Sequence, residues 1–351
     1  MNLKVKRSIL KNIRIFSLKM ENIKKKKKIV VVGGGTGSFT VLFGLKKYDD
    51  IELTAVVSMA DDGGSTGILR DEQGVLPPGD IRQCLVALSE ESGLMRELFN
   101  FRFSGGRLSG HNFGNLFISA IEKISGDFNK ALEMISDILK VKGEVFPVTL
   151  DKVRLVAELK NGKKLYGEGD ISEYQMISRF GVKKIYLDKK AKANKKALAA
   201  IKEADLIVVG PGSLYSSLIP NFLLSDMKRA FLNSKAKKVF VCNIMNKYGH
   251  TDNFTVLDFV EKMEKFIKKD IFDFVVYNTK LPAKSLLKKY IDEGEPVFWD
   301  KLPKFSKGKF IGEKLLAEKR QKKMKGDILR RSFIRHDSDK LAKVIMSIIN
   351  H

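Results

Sequence analysis

Residues 29–45 read IVVVGGGTGSFTVLFGL, and this stretch decides the fold. Four β-branched residues, Ile29 to Val32, run apolar on both faces, as a strand buried in a parallel sheet requires. A turn of Gly33-Gly34-Gly35-Thr36-Gly37 follows. Apolar residues then recur at helical spacing through Phe39, Leu42, Phe43 and Leu45. A second apolar run, Ile51 to Ser58, completes a βαβ opening and predicts an α/β protein with a doubly wound, Rossmann-like parallel sheet.

Outward from this opening, helices are expected at Leu94–Phe101, Asn115–Ile124 and Asn129–Leu139, and Asp80 of "PPGD" is placed to cap the helix "IRQCLVALSEES". From Glu144 to Asp188 the pattern changes to short alternating segments, with a hairpin turning at Asn161-Gly162. This predicts a β-rich insertion at about 144–188 within a single domain over 28–350. The α/β alternation resumes with "ADLIVVGPGSLYSSL", "KKVFVCNIM" and "DIFDFVVYN". The chain closes with "LRRSFIRHDSDKLAKVIMSIIN", read as a strand and then a helix capped at Asp337 or Ser338.

Charge is unevenly spread. The formal net charge is +24, yet residues 1–28 hold eleven Lys or Arg against one Glu, and residues 301–331 hold twelve against three. Little surplus remains elsewhere, which argues against nucleic-acid binding and for solvated basic segments. Residues 1–27 read as a basic extension, disordered or upstream of the natural start at Met20; within it "ILKNIRIFSLKM" could form an amphipathic helix resting on anionic lipid. No apolar run is long enough to span a membrane, and no signal peptide is legible. Cys84 and Cys242 sit singly in apolar surroundings, which predicts free thiols in a cytoplasmic protein.

In a doubly wound sheet, ligands bind at the carboxyl ends of the strands. Four loops there carry candidate chemistry. Gly34, Gly35, Thr36 and Gly37 form either an anion cradle at a helix N-terminus or a plain tight turn. Residues 60–70, ADDGGSTGILR, place Asp61 where a dinucleotide fold puts its ribose-binding acid, so NAD is one reading. The neighbouring pair Asp61 and Asp62 also suits Mg²⁺ held against a pyrophosphate, with Arg70 neutralising phosphate charge. Gly212 and Ser213 in "GPGSLYSSL" resemble a second anion site, and "SGHNFGN" offers His111, Asn112 and Asn115, with His111 a base, a ligand or a structural hydrogen-bonding group.

Taken in order, GGGTG, ADDGGSTGILR, PPGDIRQCLVAL, GHNFGN, GDF, GPGSLY with IPN, CNIM and RHD resemble the YvcK branch of the CofD/YvcK family over roughly residues 28–350. The resemblance implies a Rossmann-like fold and binding of UDP-sugars such as UDP-N-acetylglucosamine. It also implies a regulatory part in growth on gluconeogenic carbon, cell shape and peptidoglycan precursor supply, with no defined reaction. By matched motif it assigns ligand contact to Tyr290 and Arg335, and Asn243 of CNIM is a further candidate ligand-binding residue. His250 in "NKYGHTD" stands where the family usually carries glutamate, and a neutral imidazole does not replace an anion. The CofD branch implies an alternative, a Mg²⁺-dependent 2-phospholactate-type transferase acting on a nucleotide-diphosphate-linked group, although its expected continuation after Asp61-Asp62 is absent. The expectation is therefore a nucleotide-sugar sensor needing no cofactor, with Mg²⁺, a protein partner in cell-wall metabolism and homo-oligomer formation left open.

Overall fold

The computed structural model describes residues 26–91, 93–300, 302, 309–318 and 334–350. The basic extension and most of the basic segment 301–331 lie outside the described residues. Strand β1 (Lys27–Gly33) leads through Gly34 into helix α1 (Gly35–Leu45) and strand β2 (Ile51–Val57). Helices α2 (Gly64–Gln73), α3 (Gly79–Leu88), α4 (Leu94–Asn100), α5 (Phe113–Ser125) and α6 (Phe128–Ile138) precede strand β3 (Glu144–Pro147).

A three-stranded antiparallel sheet follows, from β4 (Leu155–Leu159), β5 (Lys164–Tyr166) and β6 (Val182–Leu187), with α7 (Glu168–Glu173) and α8 (Ile177–Phe180) between the last two strands. The chain then builds α9 (Lys195–Glu203), β7 (Leu206–Val209), α10 (Ser225–Asn233), β8 (Lys237–Val241), α11 (Val256–Phe266) and β9 (Phe274–Asn278). It ends with α12 (Lys284–Lys289), β10 (Phe310–Glu313) and α13 (Ser338–Asn350).

The large sheet has seven strands in the order β10-β9-β8-β7-β1-β2-β3, and every pairing is parallel. The chain winds outward from β1 to β3, returns to place β7 on the other side of β1, and winds outward again. With right-handed crossovers, this reversal puts helices on both faces. It explains why Ile29–Val32 and Leu206–Val209 are buried throughout. The reversal lies between β1 and β7, so the glycine turn after β1 and the Gly210–Ser213 turn after β7 face each other at the carboxyl edge. The doubly wound expectation is met.

Several local readings are corrected. Strand β3 pairs in register with β2, Thr54 opposite Glu144, so the antiparallel sheet begins only at Leu155. Short length and alternation made β3 resemble the strands after it. The seventh strand, β10, lies within the lysine-rich segment that suggested only a solvated face. The strand read before the last helix falls largely outside the described residues, with His336 making an isolated bridge to Leu316, and the expected cap is met: the Asp337 carboxylate accepts the Asp339 and Lys340 N–H groups. After β7 the backbone makes a π-type turn, Leu214–Leu218, and a 3₁₀ turn, Ile219–Phe222, before α10.

Candidate functional site

At the carboxyl edge, between the turns after β1 and β7, lies a cleft of about 830 Å³. Seven of the residues singled out in the sequence line it: Thr36 and Gly37 from the start of α1, Ser213 after β7, Asn243 and His250 after β8, Tyr290 after α12, and Arg335 before α13. Asn243 locks the β7 turn by accepting the Gly212 N–H and donating to the Gly212 carbonyl, both at 3.0 Å. Gly212 thus supports the wall without lining it. Tyr290 is buried in a small apolar cluster with Ile244, Met245, Leu316 and Ile334, which fixes the wall opposite α1.

Further lining residues bring charge and hydrogen-bonding capacity. Lys247 donates to the Ser172 carbonyl at 2.5 Å, and burial holds its ammonium below the usual lysine range. His250 and His336 are both almost fully buried. Burial, with nearby Lys247 adding to it, pushes His250 down to about 4, and burial pushes His336 down to about 4. Both rings are therefore neutral at physiological pH, with Nε2 unpartnered. The cleft thus carries two uncharged imidazoles beside Lys247, Arg335 and the acidic Glu173, Asp292 and Glu293.

The glycine turn is divided between two environments. Thr36 and Gly37 face the cleft, whereas Gly34 and Gly35 face Asp80. Asp80 does not cap α3: that helix starts at Gly79 after Pro78, and the Asp80 carboxylate accepts the Gly35 N–H at the N-terminus of α1. An internal carboxyl group thus takes part of the helix end that seemed free for phosphate.

Asp80 belongs to an acidic group with Asp61 and Glu168. Burial, followed by the Glu168 charge, pushes Asp61 up to about 6, although Gly63 N–H and Thr66 hydrogen bonds oppose the rise. Burial, then Asp61, then Glu168 hold Asp80 well above the usual carboxylate range. Glu168 accepts from Ser172 Oγ at 2.5 Å, and Ser172 lines the cleft. The acidic group and the cleft therefore share a wall.

Other expected site residues are committed elsewhere. Asp62 turns away from Asp61: its Oδ1 accepts the Gly169 N–H at 2.8 Å, and Arg154 lies 3.8 Å from Oδ2. The adjacent aspartates thus diverge and do not form a two-carboxylate clamp. Among the described residues no group of three or more His, Cys, Asp or Glu is disposed to hold a metal ion. Arg70 is buried and donates to the Val153 carbonyl, in the segment that leads into the antiparallel sheet. Asn112 caps α5, His111 Nδ1 lies 3.3 Å from Ser65 Oγ, and Asn115 Oδ1 accepts from Arg82 Nε at 2.9 Å. The GHNFGN loop therefore buttresses the acidic group from behind.

The acid group gives a pH signature. Its raised Asp61 pKa means the folded state keeps a proton that the unfolded chain releases near pH 4. That contribution is full below the unfolded pKa and is lost as pH rises through about 6. Asp61→Asn removes the penalty while preserving an acceptor for Gly63 and Thr66. A shift from 3.8 to about 6 corresponds to at most about 3 kcal/mol, and solvent reaching the partly exposed Asp61 lowers this to about 1–2 kcal/mol. Urea titrations are expected to show the variant more stable by that amount at pH 8 and equal to the parent at pH 4. A parallel loss at both pH values would contradict this electrostatic account.

The fold defines a Rossmann-like α/β protein with a cleft at the point of strand-order reversal. Residues 29–312 match the family model described as 2-phospho-L-lactate transferase CofD. A relative from Aquifex aeolicus named "Putative gluconeogenesis factor" is 44% identical, over 91% of this chain and 95% of its own. The gluconeogenesis factor of Bacillus subtilis is 36% identical, over 90% and 96%. A crystal structure of a UPF0052-family protein from Bacillus halodurans superposes with a TM-score of 0.81 at 36% identity, covering 92% of this chain and 99% of that one. The chain belongs to the CofD/YvcK family.

Proposed function

We propose that this chain is a gluconeogenesis factor that binds a UDP-sugar, with UDP-N-acetylglucosamine the expected ligand, and that it couples carbon supply to cell-wall precursor synthesis and cell shape. One observation carries the reading: Thr36, Gly37, Ser213, Asn243, Tyr290 and Arg335, drawn from the whole length of the chain, line a single cleft. Its volume of about 830 Å³ falls in the range that encloses a ligand of this size. Lys247 and Arg335 offer charge-assisted bonds to a diphosphate, and Tyr290, Asn243 and the neutral imidazoles suit a base and a glycosyl group. Burial pushes the Cys84 and Cys242 thiols up, out of the range useful for a nucleophile.

The test is calorimetric titration of UDP-N-acetylglucosamine into the intact chain, with and without Mg²⁺, followed by recovery of the ligand. Saturable binding is expected, weakened roughly tenfold to a hundredfold by Arg335→Ala, as loss of a charge-assisted phosphate contact implies, with the ligand recovered intact. An absence of saturable binding would sink the reading.

A second reading, a metal-dependent transferase on a nucleotide-diphosphate-linked group, draws on Asp61, Asp80 and Glu168 sharing a wall with the cleft. The same titration separates the two. Mg²⁺-dependent breakdown of the recovered ligand, lost in Asp61→Asn, would establish the transferase.

A further inference from the structure

Three buried acceptors on the cleft receive no hydrogen from the chain. Asn246 and His250 are each 3% exposed and His336 is 5% exposed, and all three residues line the cleft. Their donor sides are committed to the backbone. Asn246 Nδ2 donates to the Phe254 carbonyl at 2.9 Å. The His250 ring bonds to the backbone of Ser172 and the His336 ring to that of Cys242; each bond raises the ring's basicity, so the ring N–H donates and a carbonyl accepts. Asn246 Oδ1, His250 Nε2 and His336 Nε2 keep lone pairs that no protein donor reaches.

The frame that carries them is firmly tied. The Asn246 N–H donates to the Glu295 carbonyl at 2.6 Å, and the His250 N–H donates to the Lys247 carbonyl at 3.0 Å. Ile244, Met245, Leu316 and Ile334 pack with Tyr290 in one apolar cluster, which joins the loop after β8 to the segment before α13. No side chain of the three can turn its lone pair to another use without giving up its bond to the backbone. A buried acceptor left unpaired is costly. Three of them on one cleft point to a ligand that supplies the hydrogens.

We infer that Asn246, His250 and His336 form the subsite for the ligand's glycosyl group, accepting its hydroxyl and amide hydrogens, and that they select a nucleotide sugar over the bare nucleotide. The inference rests on the UDP-sugar reading and assigns the ends of that ligand. Phosphate oxygens are acceptors and would set lone pair against lone pair here, whereas Lys247 and Arg335 on the same two segments suit them. Uracil carries a single N–H between two carbonyl groups, and the ribose carries two hydroxyls. The glycosyl group alone presents a hydrogen for every acceptor, since N-acetylglucosamine has three hydroxyls and an amide N–H. Burial holds both rings down to about 4, so they stay acceptors at neutral pH. A metal ion or an ammonium group would also meet these lone pairs, but Lys247 and Arg335 oppose a cation beside them. The carboxylates on the cleft compete weakly, because Glu173 and Asp292 are exposed and Glu293 is half-buried, where water serves them.

The experiment is titration of the intact chain with UDP-N-acetylglucosamine and with UDP, beside Asn246→Leu, His250→Phe and His336→Phe. The parent is expected to bind the sugar nucleotide on the order of thirtyfold more tightly than UDP, and each variant to cut that preference about tenfold, as loss of one buried hydrogen bond implies. Each substitution also strands a backbone carbonyl, so histidine ¹⁵N spectra of the parent supply a reading that needs no variant. UDP-N-acetylglucosamine is expected to shift both Nε2 resonances, and UDP to leave them in place. Equal affinity for the two ligands, or Nε2 resonances that the bound sugar nucleotide does not move, overturns this inference and leaves the UDP-sugar reading standing. An absence of saturable binding by the sugar nucleotide overturns both.

Discussion

Replacing Arg82 by methionine is expected to destabilise the protein by about 3–5 kcal/mol, the usual consequence of leaving buried partners of a charge unpaired. Arg82 is 2% exposed. Its Nε donates to Asn115 Oδ1 at 2.9 Å, and its Nη1 donates to the Phe99 carbonyl at 3.0 Å and Asn100 Oδ1 at 3.2 Å. It is also the cation that restrains the upward drift of Asp80. One substitution therefore strips acceptors on α4 and α5 and removes the positive charge facing the acidic group. Urea unfolding at pH 7 measures the loss. In Arg82→Met/Asp80→Asn part of it should return, because the carboxylate left without its cation is then neutral. A loss under about 1 kcal/mol would mean that water replaces the guanidinium, and that it does not hold the acidic group.

Gly37→Ala is expected to cost about 3 kcal/mol or more, the upper end of overpacking in a tight site. A Cβ at Gly37 would stand 1.8 Å from the Pro211 carbonyl oxygen and 3.2 Å from the Gly212 nitrogen. Both are backbone atoms, so no side-chain rotation relieves the collision. Either α1 or the Gly210–Ser213 turn must move, and that movement opens the cleft between them. The variant should lose both thermal stability and ligand affinity. At the neighbouring Gly34 the obstacle would be Asp80 Oδ2, 2.2 Å away. Normal stability and binding in Gly37→Ala would show that the close approach of the two turns is not needed.

The sequence carried the frame of this protein because the frame is local. Ile29–Leu45 contains strand, turn and helix within one short window, and the apolar runs at Leu206–Val209 and Val239–Val241 are unambiguous. The carboxyl-edge loops could be ranked as candidate sites once a doubly wound sheet was expected. Side-chain direction was not legible. Asp62 and Asp61 are neighbours in the chain but point to different partners, Gly169 and Gly63, because the strand has ended and α2 has not begun. Arg70 reads as a phosphate ligand until the segment leading into the antiparallel sheet, over eighty residues later, supplies Val153. Asp80 sat in a convincing cap sequence, yet its partner is Gly35, and Glu168 gave no signal at all because its role depends on α7 folding back toward β2. Lys247 and His336 were likewise invisible as cleft residues, although the unusual His250 marked the right loop.

Amide hydrogen exchange of the intact chain, with and without saturating UDP-N-acetylglucosamine, tests most directly whether the cleft at the strand-order reversal is the ligand site. The account predicts new protection concentrated at residues 36–40, 211–215, 243–251 and 334–336, the segments that line the cleft. It predicts no change along the opposite edge near Lys142 and Lys196. Saturable binding that protects that far edge, or leaves the four cleft segments exchanging as before, would contradict it.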